Sequence, residues 1–132
     1  MSDRDSSTEL LRKNATCFVN VGAYRRVGPD VEAFEPPGGV ARGVFGTRGM
    51  EGVGGRLTLS PTALWFHSHR FNFVRVNFGI PLEEIVDVRD ASRGPSRQIE
   101  VVMRSGVRPR FLVWGVPTVI ATINDARGRS AR

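Results

Sequence analysis

GGRLTLSPTALWF, residues 54–66, alternates as two strands with one buried face require. Leu57, Leu59, Leu64 and Phe66 fall on the apolar side; Arg56, Thr58, Ala63, Trp65 and His67 fall on the other. Ser60-Pro61-Thr62 interrupts the two runs, with a proline that fixes φ and hydroxyls that can satisfy local backbone groups. The stretch therefore predicts a β-hairpin, and the rest of the chain is read outward from it.

Downstream, Val74, Val76, Phe78 and Ile80 alternate with polar residues and glycine, predicting a further strand. Ile80-Pro81-Leu82-Glu83-Glu84-Ile85 leads into a strand carrying Ile85 and Val88, and DASRGPSR, residues 90–97, is a turn. Ile99, Val101 and Met103 mark another strand, Ser105-Gly106 another turn, and Phe111 and Val113 a last strand. Pro109 places the start of that strand on an exposed sheet edge. The period then changes. Val116, Val119, Ile120, Ile123 and Ala126 form one helical stripe, with Pro117 in the first turn and Gly128 as the stop.

Upstream, residues 40–47 (VARGVFGT) read as a strand bent by glycines, and residues 48–55 as a loop. The glycines at 49, 52, 54 and 55 do not match GxGxxG, and no helical run follows them. Residues 16–24 are β-prone, and Cys17 suits a small packing position. Pro36-Pro37-Gly38-Gly39 is the expected boundary between a partly ordered N-terminal extension, residues 1–35, and one domain, residues 36–127. A basic tail occupies residues 128–132. The extension is expected to pack on the domain or on a second copy of it.

The motif Gly54-Gly55-Arg56-Leu57-x-Leu59-Ser60-x-x-x-Leu64-x-Phe66, followed by His67-x-His69-Arg70-Phe71-Asn72-Phe73 and by the Ile80-Pro81-Leu82 stretch, resembles the GRAM-like branch of the pleckstrin-homology (PH) superfold, bacterial type. The resemblance covers about residues 36–127. It implies a mainly β, strongly bent seven-stranded antiparallel sandwich or barrel capped by one C-terminal α-helix. Physically, a strongly bent sheet leaves an open end that an amphipathic helix can plug.

Composition bounds the function. The chain has 132 residues, 40% of them hydrophobic, enough for one core. No apolar run reaches the roughly 18 residues of a membrane span. The first ten residues lack the basic segment and apolar block of a secretory signal, and the single cysteine cannot form an internal disulfide. The expected location is cytoplasmic, with peripheral attachment at the inner face of the membrane as an extension of that reading. The Asn14-Ala15-Thr16 sequon is accordingly read as chance. Residues 1–35 carry five basic and six acidic groups, and residues 36–132 fourteen and seven, so the excess of +7 belongs to the domain. All but one of these cations are arginine, a bias that a GC-rich, bacterial genome would also produce; Lys13 is the one lysine.

No nucleophile elbow, cysteine–histidine set or flanked carboxylate pair is present, so the chain reads as a non-enzyme without a cofactor. His67 and His69 point the same way, but two histidines complete neither a structural nor a catalytic zinc site. The preferred reading is an interaction module that binds a protein partner or self-associates, with Trp65 and Pro109 as its candidate surface. The alternative is anionic lipid or phosphate-headgroup binding through Arg48, Arg56, His67, His69, Arg70 and Arg75. At about 1 kcal/mol per basic residue near an anionic membrane, four or five arginines give roughly 4–5 kcal/mol, a millimolar attachment. A pI near 11.1 admits nucleic acid as a third partner, but no interleaved stacking aromatics support it.

Overall fold

The computed structural model describes residues 9–20, 50–69 and 76–130. Seven strands form one antiparallel sheet: β1 (Leu11–Asn20), β2 (Met50–Leu59), β3 (Ala63–Ser68), β4 (Asn77–Pro81), β5 (Ile85–Asp90), β6 (Gln98–Met103) and β7 (Arg110–Val113). The sheet order is β4-β3-β2-β1-β7-β6-β5. A one-turn 3-10 helix, Leu82–Glu84, joins β4 to β5, and α1 (Val116–Ser130) follows β7. The sheet curls into a half-barrel, and α1 packs on β5, β6 and the 3-10 turn. This is the mainly β, helix-capped architecture expected from the sequence.

The hairpin is as its alternation requires. Leu57, Leu59, Leu64 and Phe66 are all buried, and Phe66 meets Phe78 at 5.8 Å and Phe111 at 5.9 Å between ring centroids, an aromatic trio that joins strands from both halves of the sheet. Ser60 holds the turn: its hydroxyl accepts from the Ala63 N–H at 3.1 Å and the Thr62 N–H at 3.3 Å. Val116, Val119, Ile123 and Ala126 complete the core from the helix.

Several expectations are corrected. Residues 11–20 do not stand outside the sheet as an extension. They form its central strand, paired with β2 along ten residues and with β7 through Ala15, Thr16 and Cys17. The strand expected at residues 40–47 and the boundary at residues 36–39 lie outside the described residues. Residues 50–55, expected as loop, belong to β2, because pairing with β1 satisfies their backbone even where glycine lowers strand propensity. Pro109 is buried, not exposed: β7 is an interior strand between β1 and β6, and the Pro109 carbonyl accepts from the Val101 N–H. Ala63 is also buried, opposite Pro81 where the chain leaving β4 stays bonded to the hairpin through Leu82 N–H and Thr62 O. Gly128 does not stop the helix, which runs to Ser130 with Asp125 and Arg129 paired across one turn. A single exposed glycine costs only about 1 kcal/mol there.

Candidate interaction face

Register assembles a site on the outer, convex side of the sheet. Asn14 on β1 pairs with Arg56 on β2, Arg56 with His67 on β3, and His67 with Asn77 on β4. These four side chains share one face and form one row across four strands, since residues directly opposite in an antiparallel sheet project to the same side. His67 Nδ1 lies 3.2 Å from Asn77 Oδ1, a separation at which an Nδ1–H donates to the amide oxygen.

The neighbouring row is Arg12, Thr58, Trp65 and Gly79. The Trp65 ring lies flat over Gly79: a Cβ built there would stand 2.6 Å from two ring carbons. Glycine is what lets the indole reach the backbone. Trp65 also stacks on His67, with ring centroids 6.1 Å apart and planes 13° from parallel. On the other flank, the His69 ring sits over Gly54, where a Cβ would be 3.5 Å from Cδ2. In this second row Thr58 Oγ1 is buried and has no hydrogen-bond partner among the described residues.

The face is donor-rich. The strands β1 to β4 place no carboxylate on it among the described residues. Arg12 is tied at its edge to Glu9, whose carboxyl it holds below the usual range through a hydrogen bond from Nε at 2.8 Å. Arg56 enters no ion pair among the described residues and stays exposed.

Of the residues singled out in the sequence, Arg56, Trp65, His67 and His69 thus come together. Arg48, Arg70 and Arg75 lie outside the described residues, and Pro109 belongs to the interior. Asn14 and Asn77 join the row although sequence reasoning did not select them. Their signal was strand parity with Arg56 and His67, which becomes readable only once the pairing register is known.

The two sheet edges are guarded against strand addition. On β4, a five-residue strand, Pro81 lacks an N–H. On β5 the register shifts between Ile85 and Asp87, the Asp87 carboxylate accepts the Val88 N–H at 2.9 Å, and Arg127 donates to the Val86 carbonyl at 2.9 Å. Beside β5 runs an open cleft of about 600 Å³, floored by Leu82 and Ile85, in which Arg104 and Arg127 face Glu83 and Asp87. Arg104 is itself bonded to the Glu83 carbonyl, so both cations there serve the fold. Cys17 is fully buried and burial pushes its thiol up, away from reactivity. Among the described residues no three histidine, cysteine or acidic side chains gather to hold a metal, and no helix is long and apolar enough to cross a membrane.

Comparison with known proteins adds the fold alone. No protein-family model and no curated protein matches the chain. Among solved structures it is similar to the C-terminal domain of an unknown protein from Leishmania infantum, with a TM-score of 0.55 and 15% identity over 93% of this chain and 88% of that one.

Proposed function

We propose that the chain is a non-catalytic PH/GRAM-like interaction module that receives an acidic segment of a protein partner across the outer face of β1–β4. The observation that carries this reading is the transverse row Asn14, Arg56, His67 and Asn77 beside Trp65, on a face where the strands place no carboxylate. Arginine offers a planar fork to carboxylates, the amides add neutral donors, and the indole supplies apolar contact. The guarded edges favour docking on this face over addition of a strand.

Surface-immobilised polyglutamate tests the reading. Wild type is expected to bind with an affinity that falls steeply with salt, and Arg56→Glu to lose at least about tenfold, as the loss of a close charge pair with reversal predicts. Binding unchanged by Arg56→Glu, in a variant that melts like wild type, would exclude this face.

A second reading rests on the same donors: an anionic lipid headgroup held by Arg56, His67 and His69 at the inner face of a membrane. The exposed Arg56 favours it as well. Soluble inositol hexakisphosphate competing away polyglutamate in proportion to Arg56 would assign the face to phosphate.

A further inference from the structure

Trp114 is the most exposed large apolar side chain among the described residues, at 71%, and it lies at one end of the half-barrel, at the turn from β7 to α1. The sheet fixes what flanks it. Val113 N–H donates to the Arg97 carbonyl, which sets Arg97 on the β6 side of the tryptophan. A Cβ on Gly115 would stand 3.4 Å from Lys13 Nζ, which sets the chain's one lysine on the β1 side. Gly115 itself has φ of +75°, a conformation glycine adopts freely, and it turns the chain into the helix immediately after the indole.

The loop between β5 and β6 ends at the same place. Paired hydrogen bonds between Arg93 and Ser96, both 2.9 Å, close it as a tight turn over Gly94 and Pro95, with the exposed Arg93 beside its tip. Lys13, Arg93 and Arg97 enter no ion pair among the described residues. Asp90, the carboxylate at the base of this loop, accepts the Ser92 N–H and is held below the usual range first by Ser92 and further by the field of Arg97. Leu10, 37% exposed and bonded through its N–H to the Leu59 carbonyl, adds apolar surface where β1 begins, on the same end of the sheet as Lys13.

We propose that this end of the barrel docks on the anionic surface of a lipid bilayer, with the Trp114 indole seated among the headgroups and Lys13, Arg93 and Arg97 facing their negative charges. The indole is 71% exposed to solvent. A folded protein partner would have to supply a matching pocket, whereas a fluid interface opens one wherever an aromatic enters. An apolar body with a single N–H donor suits the headgroup layer, and each flanking cation adds attraction. The surface is distinct from the outer-face row: Asn14 faces that row, while Lys13, one residue earlier, faces the barrel end.

The test is co-sedimentation of the full chain with vesicles of equimolar phosphatidylcholine and phosphatidylserine, and with vesicles of phosphatidylcholine alone. Wild type is expected to sediment with the mixed vesicles only. Trp114→Ala should weaken partitioning at least about tenfold through lost apolar burial, and Trp114→Tyr should retain most of it. Lys13→Glu and Arg97→Glu should each weaken it about fivefold or more. Because Trp114 is exposed, circular dichroism of its alanine variant is expected to match wild type. The proposal is overturned if wild type ignores mixed vesicles, if a folded Trp114→Ala binds them as well as wild type, or if immobilised polyglutamate captures the chain in a Trp114-dependent way while mixed vesicles do not, which would make the partner an acidic protein.

Discussion

Two glycines sit beneath aromatic rings on opposite sides of β3. Inside, Gly55 lies under Phe66, and a Cβ there would stand 2.8 Å from Phe66 Cζ, 2.7 Å from the Ser68 Cα and 2.3 Å from the His67 carbonyl oxygen. Outside, Gly79 lies under Trp65, and a Cβ there would meet only the indole among its nearest atoms. The inner contact is backbone on backbone in a closed core; the outer one is a side chain that can swing into solvent. The first pair holds the fold together, and the second shapes a surface, although adjacent residues of one strand supply both rings.

That difference ranks the consequences. Gly55→Ala forces β2 and β3 apart and is expected to cost about 4 kcal/mol or more, in the exceptional range for one substitution, read as a largely unfolded protein by urea denaturation. If it folds with near wild-type stability, the inner contact is not what fixes the hairpin. Phe66→Ala removes the centre of the aromatic trio and should cost about 3–5 kcal/mol, with the spread set by how far Phe78 and Phe111 collapse into the space. Gly79→Ala should cost only about 1–2 kcal/mol while displacing Trp65, so its tryptophan fluorescence shifts red at nearly native stability. A loss as large as that at Gly55 would erase the distinction between the two faces.

The smallest effect is electrostatic. Asp87 and Asp90 titrate below the usual carboxylate range because of the Arg89 hydrogen bond and the Ser92 hydrogen bonds, respectively. Their folded values lie below their unfolded ones. The stability they add is therefore present at neutral pH and is lost as pH falls below about 4. Both groups are exposed, so the melting temperature should drop only modestly on the acid side, and Asp87→Asn should make that drop shallower.

The same contrast explains what the sequence disclosed. Period-two alternation carried the hairpin, β6 and β7, and the change to a helical stripe at Val116 carried α1, because each has one face against the core. β1 was missed as the central strand because its sequence, LRKNATCFVN, mixes four charged or amide side chains with its buried positions. Only pairing on both sides makes it central. Pro109 was misplaced for a related reason: a proline marks a missing N–H, and a strand's first residues can lack one in the interior when the neighbour's bond goes to its carbonyl instead. Trp114 was not singled out in the sequence, although its parity is opposite to that of the inward Phe111 and Val113; the cations around it come from β1 and the β5–β6 loop and needed the topology. The outer-face row was half legible. Arg56 and His67 were identified by charge and alternation, but Asn14 and Asn77 are ordinary polar residues until register aligns them.

Backbone amide chemical-shift mapping during titration with polyglutamate tests the central assignment of the outer face most directly. The account predicts that the largest shifts fall on Asn14, Arg56, His67 and Asn77, with Leu57, Phe66 and Phe111 nearly unmoved, and that Arg56→Glu abolishes them. Shifts concentrated along β5 and the Arg104–Arg127 cleft, or none at any concentration, would contradict it.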